Sequence, residues 1–284
     1  MMAMNIPKVI FGTSALGNLY TSLTPAEKTE IVKACIAASP VPAVFDTAGK
    51  YGAGLALEAL GNSLRELGVP QQAVMISNKL GWYRIPLTGD EPAFEPGVWK
   101  DIQFDAEQRI SYEGILQCYE QGNELLGGYH ASLVSVHDPD EYLAAAVSGD
   151  ERAKRLADIK DAYRALFELK SHGRIQAVGV GAKDWRVIRE ITDMLALDWV
   201  MIANSMTLHT HPDELLDYMA HLQSKGTGII NSAVFNGGFL TGGDYYNYRL
   251  VDKEHVALMH WRDQFLQFAP ILMYNRHTPA YSSD

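Results

Sequence analysis

Four residues whose types suit proton transfer stand at the ends of three short apolar segments. Asp46 and Tyr51 follow the first segment, five residues apart, while Lys79 closes the second and His137 closes the third. Each one alone has an ordinary explanation, as a turn acid, a surface aromatic, a strand-end lysine or a turn histidine. Polar residues at the carboxyl ends of parallel strands face the edge of a sheet where ligands bind, in barrels and open sheets alike. We therefore predict that the four side chains converge.

Such a set would perform acid/base chemistry at an oxygen atom. A phenol with a pKa of about 10 is a poor base at neutral pH, and a nearby ammonium favours its ionised form. Lys79 would supply this charge to Tyr51, and Asp46 would hold the ammonium in place. A neutral His137 would hydrogen-bond the same substrate oxygen that Tyr51 protonates or deprotonates. The set suits carbonyl reduction or alcohol oxidation.

The elements that must position these residues are strands that alternate with helical patterns. Alternating βα units with short links predict a parallel sheet, either open and doubly wound or closed into a (βα)₈ barrel. A dinucleotide fingerprint could begin at Gly52-Ala53-Gly54, but Leu57 stands where its third glycine belongs. Seven strands are predicted from continuous apolar runs, at 8–11, 43–47, 74–80, 131–137, 175–181, 199–204 and 228–233.

Helix signals separate these strands, with one exception. Thr24, Pro25 and Glu27 form a capping pattern that predicts a helix start, and an apolar stripe at helical spacing follows at 57–67. The exception is the segment 81–111, which is rich in Pro, Gly and aromatic residues and is far longer than an ordinary connection of about 4 to 6 residues. Long loops over strand ends are commonly functional. We predict that it covers the site.

Charge and cysteine content narrow the class of partner. The 34 acidic residues outnumber the 24 basic ones, for a net charge of −10, which argues against nucleic acid or an anionic membrane as partner. Cys35 and Cys118 are expected to be reduced, buried thiols rather than a disulfide. With no secretory or membrane-spanning pattern, we expect a cytoplasmic protein, a monomer or weak homo-oligomer, that acts on a small molecule.

Several motifs together resemble the aldo-keto reductase superfamily, and its aldose 1-dehydrogenase branch in particular. The motifs are FGTSALGNLY at 11–20, FDTAGKYG at 45–52, Lys79 after its apolar strand, HDPD at 137–140 and LKSHGRIQAVGV at 169–180. The resemblance implies an α/β fold, a (βα)₈ TIM barrel, that binds NAD or NADP without a separate Rossmann domain. It implies one barrel domain over residues 1–284, with no metal.

The resemblance also implies roles for individual residues. Tyr51 is the general acid/base, with Asp46, Lys79 and His137 as its catalytic partners, and the C1 hydroxyl of a free aldose such as L-fucose, L-galactose or D-arabinose is oxidised to the lactone. Apart from the resemblance, Trp82 and Trp99 of the long segment are expected to contact the substrate, because aromatic rings stack on the C–H faces of sugars; the alternative is that they only cover the top of the barrel. Asn18 is also expected to contact the substrate. The residues implied to contact the cofactor are Gly12, Thr13, Asn204, Asn236, Gly237, Gly238 and Leu240.

The chain departs from the family pattern in three places. Gly181-Ala182 stand where the family often has Ser-Asn to hold the nicotinamide carboxamide, and Ser232 aligns with an aromatic that often stacks on the ring. The end of the chain, 244–284, is atypical, so the eighth βα unit is predicted to be abbreviated: a helix over 256–268, a strand over 270–275, and Arg276 and His277 as phosphate contacts. Two alternatives stay open, a general aldehyde or ketone reductase and a catalytically idle, nucleotide-binding barrel.

Overall fold

The computed structural model describes residues 7–252 and 254–274, and the side chains of those residues as far as 268. Seven parallel strands form its main sheet. They pair in the order in which they occur along the chain, β1-β2-β3-β6-β7-β8-β9. Their bounds are β1 Phe11–Gly12, β2 Ala43–Ala48, β3 Val74–Leu80, β6 Leu133–His137, β7 Ala177–Ala182, β8 Trp199–Ala203 and β9 Gly228–Ser232.

This order decides between the two architectures that the sequence allows. A doubly wound sheet reverses its strand order at a switch point, whereas a barrel adds each strand beside the previous one. Every described pairing in the main sheet is parallel and sequential. The prediction of a (βα)₈-type barrel is confirmed. All seven predicted strands occur, but the first, predicted over 8–11, is a two-residue strand at Phe11–Gly12.

Helices cover the outer face of the sheet. The predicted capping pattern is present: the Thr24 side chain accepts a hydrogen bond from the Glu27 amide, and the Glu27 carboxylate accepts one from the Thr24 amide. The helices are α1 Pro25–Ala37, α2 Leu55–Glu66, α3 Tyr112–Leu125, α4 Pro139–Ala144, α5 Gly149–Ser171, α6 Trp185–Met194, α7 Asp213–Ser224 and α8 Val256–Tyr274. None of the described helices is long and apolar enough to span a membrane.

Two hairpins lie outside the main sheet. The long segment 81–111 contains β4 Trp82–Pro86 and β5 Phe104–Gln108, which pair antiparallel. A smaller hairpin of β10 Tyr245–Tyr246 and β11 Arg249–Leu250 follows the loop after β9. The first hairpin belongs to the segment after the carboxyl end of β3, and the second to the segment after the carboxyl end of β9.

The end of the described chain departs from prediction. The helix predicted over 256–268 is present, but it continues through 274, so the prediction of a strand over 270–275 is wrong for 270–274. Among residues 7–252 and 254–274 no strand joins β9 to β1, and a cavity of about 620 Å³ lies between these two edges. Arg276 and His277, the expected phosphate contacts, lie outside the described residues.

The core fills the space between sheet and helices with large apolar side chains. Leu57, Leu60 and Leu64 of the predicted α2 stripe are fully buried. Tyr163 of α5 is also buried and donates a hydrogen bond to the Gly179 carbonyl at 3.1 Å. Both cysteines are free thiols, Cys118 buried and Cys35 half-buried.

Candidate active site

The four residues with acid/base side chains come from three neighbouring strands. Asp46 lies in β2, Lys79 in β3 and His137 at the end of β6, and all three side chains are buried. Since parallel strands end at the same edge, these positions face one another, as the sequence predicted. Tyr51 follows β2 and completes the group.

A close crossing of two chain segments fixes the position of Tyr51. Gly52 has φ of +61°, and a side-chain carbon there would lie 2.3 Å from the Gly17 carbonyl oxygen. Gly17 is equally tight, since a Cβ would lie 2.8 Å from the Tyr51 carbonyl carbon. Only glycine fits this crossing, so the two glycines hold Tyr51 against the loop after β1.

Lys79 and Asp46 form a buried ion pair. The Lys79 ammonium donates hydrogen bonds to the Asp46 carboxylate and, at 3.3 Å, to the Thr47 carbonyl. Ser77 donates a hydrogen bond to the other Asp46 carboxylate oxygen at 3.0 Å. These contacts orient the ammonium, and Lys79 Nζ lies 4.7 Å from the centre of the Tyr51 ring.

His137 and Trp99 flank the same phenol ring. The His137 ring meets the Tyr51 ring edge-on, with centroids 5.6 Å apart and an interplanar angle of 84°. The Trp99 indole lies 5.8 Å from the Tyr51 ring on a tilted plane. Tyr51 is therefore enclosed by a cation, an imidazole and an indole.

Burial controls the protonation of Tyr51 in the free chain. It raises the pKa of Tyr51 well above its ordinary value, and the carboxylates of Asp46 and Asp138 raise it further, while Lys183 lowers it. The attraction of the Lys79 ammonium for a phenolate does not offset these effects in the free chain. The reason is that Asp46 neutralises Lys79 at close range, so burial outweighs the remaining attraction. Tyr51 is a phenol here.

His137 is neutral in the free chain. Burial, with the nearby positive charges of Lys79 and Lys50, lowers the pKa of His137 well below its ordinary value. Its Nδ1 is buried and has no hydrogen-bond partner among the described residues. A neutral imidazole is suited to hydrogen-bond a substrate oxygen.

A cavity of about 300 Å³ opens beside these residues. Its walls combine the four acid/base residues with aromatic side chains, small strand residues and further charged groups. The lining residues that matter most here, beyond the four, are Gly12, Tyr20, Lys50, Glu95, Trp99, Asp138, Lys183, Ala203, Ser232, Ala233 and Tyr248.

Each further lysine of the cavity is paired with carboxylates. Lys50 Nζ lies 2.9 Å from Glu95, 3.0 Å from Glu141 and 3.7 Å from Asp138. Lys183 pairs with Glu141 and lies 3.4 Å from Asp138. Burial alone would lower the pKa of both lysines, but these carboxylates raise the pKa of both. The walls of the cavity therefore contain charged side chains, and carboxylates neutralise the positive charges of the lysines among them.

Sequence reasoning missed Lys50, Glu95, Lys183 and Tyr248. Lys183 follows β7 directly, so the rule that polar residues at carboxyl strand ends face the site could have identified it. The partners of Lys50 are 45 and 91 positions away, at Glu95 and Glu141, and no local pattern marks such pairs. Tyr248 lies in the turn of the small hairpin with φ of +68°, and nothing in the chain predicted that hairpin.

The three expected substrate contacts have different places. Trp99 lines the cavity. Trp82 lies behind it, with its ring 5.3 Å from Lys50 Nζ and 5.7 Å from the Phe94 ring. Asn18 does not line the cavity: its side-chain amide donates a hydrogen bond to the Lys100 carbonyl at 2.8 Å and accepts one from the Leu23 amide, so its polar atoms tie loops together.

The expected cofactor contacts also divide. Gly12 lines the catalytic cavity, whereas the Thr13 hydroxyl donates to the Asp46 carbonyl at 3.0 Å and supports the ion pair instead. Asn204 lines a neighbouring cavity of about 700 Å³, which shares Lys183 with the first. The loop after β9 contains the remaining four expected contacts, and none of the four lines the cavity beside Tyr51. The two glycines among them have positive φ. The four residues are Asn236, Gly237, Gly238 and Leu240.

Comparison with known proteins places this arrangement in a family. The model of the aldo/keto reductase family matches residues 8–277. The chain is 25% identical over 259 residues to a pyridoxal 4-dehydrogenase of Microbacterium luteolum, 26% over 241 residues to a D-threo-aldose 1-dehydrogenase of a Pseudomonas species, and 23% over 240 residues to an L-galactose dehydrogenase of Arabidopsis thaliana. These alignments cover 87%, 83% and 84% of this chain and 73%, 68% and 64% of the relatives.

Solved structures share the fold at lower identity. A glycerol dehydrogenase of Gluconobacter oxydans superposes with a TM-score of 0.58 at 17% identity, over 89% of this chain and 68% of its own. The holo form of an aldo-keto reductase of Bacillus halodurans superposes with a TM-score of 0.59 at 18% identity, over 85% and 69% of the two chains.

Proposed function

Because the chain belongs to the aldo/keto reductase family, whose members are NAD(P)-dependent oxidoreductases, we propose that it oxidises the C1 hydroxyl of an uncharged free aldose to the lactone. The sugars we expect are of the L-fucose, L-galactose or D-arabinose type. Two relatives whose names carry an aldose dehydrogenase activity support this choice.

The observation that carries the proposal is the pairing of every lysine in the cavity. Lys79, Lys50 and Lys183 are each neutralised by a carboxylate within the protein. A phosphate or carboxylate on the substrate would compete with buried acids for these cations, which costs free energy. A sugar brings hydroxyl groups that can donate to those acids and apolar C–H faces that can lie on aromatic rings. Neutral aldoses therefore fit better than sugar phosphates.

In this proposal Tyr51 carries the proton of the reacting oxygen. The phenol of the free chain is the form that protonates a carbonyl during reduction, and the phenolate is the form that accepts the hydroxyl proton during oxidation. Lys79 lies over the ring and stabilises the phenolate once it forms, while Asp46 keeps Lys79 charged and oriented. His137, neutral, donates or accepts a hydrogen bond at the same oxygen. A bound oxidised nicotinamide would supply a hydride acceptor for C1 and a positive charge beside these residues.

The residues present fit a nicotinamide cofactor. Small residues at three strand ends leave room beside Tyr51, namely Gly12, Ala203 and Ser232. A Cβ on Gly12 would meet nothing within 4 Å. The side-chain oxygen of Asn204 is buried and has no partner among the described residues, so it could accept from the carboxamide. The neighbouring cavity, with Arg186 and Arg249 on its walls, would hold the phosphates together with the loop 236–240. We propose NAD or NADP as the cofactor.

A second candidate is reduction of an aldehyde or ketone, and two observations favour it. The raised pKa of Tyr51 disfavours the phenolate that oxidation requires, whereas reduction starts from the phenol. The rings of Tyr20, Trp99 and Tyr248 line the cavity and suit an aromatic substrate. A relative named for its action on pyridoxal supports including aromatic aldehydes and alcohols among the substrates to test.

The test is the initial rate of NADH or NADPH formation with each cofactor and a panel of L-fucose, L-galactose, D-arabinose, pyridoxal and the matching sugar phosphates. The proposal expects turnover of neutral sugars and at least about tenfold lower kcat/KM for their phosphates, equivalent to about 1.4 kcal/mol. A preference for phosphorylated sugars would contradict it. Consumption of NADH or NADPH with pyridoxal in the reverse assay, faster than oxidation of any sugar, would favour the second candidate, and no turnover in either direction by folded protein would favour an idle barrel.

A further inference from the structure

The long loop is joined to the catalytic cavity by one acidic side chain. Glu95 belongs to the segment 94–99 of this loop and lines the cavity. One of its carboxylate oxygens lies 2.9 Å from Lys50 Nζ, and the other accepts a hydrogen bond from Trp99 Nε1 at 2.6 Å. A single carboxylate thus connects the residue before Tyr51 to the indole that flanks the Tyr51 ring.

Hydrogen bonds hold Trp99 and its segment in place. The Trp99 side chain is buried, yet its indole N–H needs an acceptor, and Glu95 provides it. Backbone hydrogen bonds hold the same segment to the loop after β1: the Tyr20 amide donates to the Val98 carbonyl and the Lys100 amide to the Asn18 carbonyl, both at 3.0 Å. Segment 94–99 is therefore attached to the cavity wall on one side by backbone and on the other by Glu95.

The charge balance at Lys50 does not depend on this link alone. If Glu95 moves away, Lys50 keeps Glu141 and Asp138 as partners, so no buried ammonium is left unpaired. Of the two side chains in this ion pair, Glu95 is the more accessible: its side chain is 30% exposed, against 5% for Lys50. Loss of the Glu95 carboxylate would therefore leave Lys50 still neutralised, which would not hold for a pair whose two members had no other partners.

We propose that Glu95 is a positioning residue that joins Lys50 to Trp99 and so closes segment 94–99 over Tyr51, which makes Trp99 a wall of the substrate cavity. This rests on the proposed function, because it assigns the loop to the same substrate. The link acts on substrate affinity through Trp99, since Glu95 contacts neither the Tyr51 hydroxyl nor the Lys79–Asp46 pair. Its charge raises the pKa of Tyr51 less than burial, Asp46 or Asp138 does. Proton transfer at Tyr51 should then change little when the link is removed.

The test compares Glu95→Ala and Glu95→Gln with Glu91→Ala, an exposed acid of the same loop. Glu95→Ala should raise the KM for the sugar by about tenfold or more, the factor expected for losing a charged hydrogen bond, while kcat stays within about twofold and cofactor affinity is unchanged. Glu95→Gln keeps an acceptor for Trp99 and should recover part of the KM. Glu91→Ala should match the wild type.

A second readout does not depend on turnover. Hydrogen exchange followed by mass spectrometry should show faster exchange of amides 94–100 in Glu95→Ala and unchanged exchange in Glu91→Ala. Unchanged exchange in Glu95→Ala, or an unchanged KM, would overturn the proposal, as would a loss confined to kcat. If the wild type turns over no sugar, the proposed function fails, and the exchange comparison still decides whether Glu95 holds the loop closed.

Discussion

Lys79 and Asp46 are two buried ions whose charges compensate each other. Removing a pair of this kind entirely can be harmless, whereas removing one partner leaves an uncompensated charge in the interior. Here Ser77 and Thr47 add hydrogen bonds to the pair, so the ammonium beside Tyr51 is held in one orientation. The same contacts that position the proposed catalytic cation should therefore also make it important for stability.

We expect Lys79→Met to lower the free energy of unfolding by about 3–5 kcal/mol, because Asp46 stays buried without its partner. Urea denaturation measures this change. The matched control is the double variant Lys79→Met with Asp46→Asn, which removes both charges and should recover a large part of the loss. Equal stability of the single and double variants would contradict this account of the pair.

The depressed pKa of His137 predicts how the free energy of unfolding depends on pH. An unfolded histidine takes up a proton near pH 6.5, whereas the folded one does so only at a much lower pH because its pKa is depressed. The contribution of neutral His137 is thus fully present above about pH 6.5 and is lost as the pH falls below it, by up to about 1.4 kcal/mol per pH unit.

The measurement is the free energy of unfolding of the wild type and of His137→Asn between pH 7.5 and about pH 5. Both proteins lose stability through their other titrating groups, and the difference between them isolates His137. We expect the wild type to lose stability more steeply as the pH falls. Parallel curves would show that the imidazole is not kept neutral by the fold.

Among the elements, the strands of the barrel were the most predictable. Runs such as 133–137 and 177–182 are buried along their whole length, so hydrophobicity alone marks them. The β4–β5 hairpin was missed because its strands are partly exposed, carry Arg84 and Glu107, and lie 17 residues apart. Its pairing depends on long-range packing, which the local pattern does not contain.

The proposed catalytic residues could be placed from the sequence for the same reason that the strands could. Asp46, Lys79 and His137 occupy or follow carboxyl ends of apolar strands, and that position is a local property. The ion pairs of Lys50 depend on residues brought together by the fold from three separate segments. The helix at 270–274 was predicted as a strand because its apolar residues fit either element, and short apolar runs cannot separate the two.

One glycine in β7 has a packing role that can be tested directly. A Cβ on Gly179 would lie 2.2 Å from two ring atoms of Trp199, whose side chain is fully buried in β8. We expect Gly179→Ala to lower the free energy of unfolding by about 1–3 kcal/mol through overpacking. Gly149→Ala, where a Cβ would meet nothing within 4 Å, is the control and should be neutral or stabilising. Equal denaturation midpoints for the two variants would contradict this reading of the β7–β8 contact.

At the scale of the molecule, the sheet has two edges that the described residues do not join. β9 pairs with β8 on one side, and the other side borders the 620 Å³ cavity next to β1. Strand edges present backbone groups that lack a ladder partner, whereas β6 and β7 are paired on both sides. Stability should therefore be lowest at this end of the sheet.

Hydrogen exchange in the native protein tests that difference. We expect the amides of β6 and β7 to be among the slowest to exchange and those of β9 to be exchanged much earlier, since local opening costs least where one ladder is absent. The central strands serve as the internal control. Protection of β9 equal to that of β7 would mean that this edge is covered.

The central claim is that Tyr51 transfers the proton in the cavity enclosed by Lys79 and His137. The most direct measurement is the turnover of Tyr51→Phe, with cofactor binding followed separately by fluorescence titration. We predict that kcat falls by about 10²–10⁴, the range of general acid/base catalysis, while the cofactor Kd and the fold are unchanged. A Tyr51→Phe variant that retains wild-type turnover would contradict the assignment of the site.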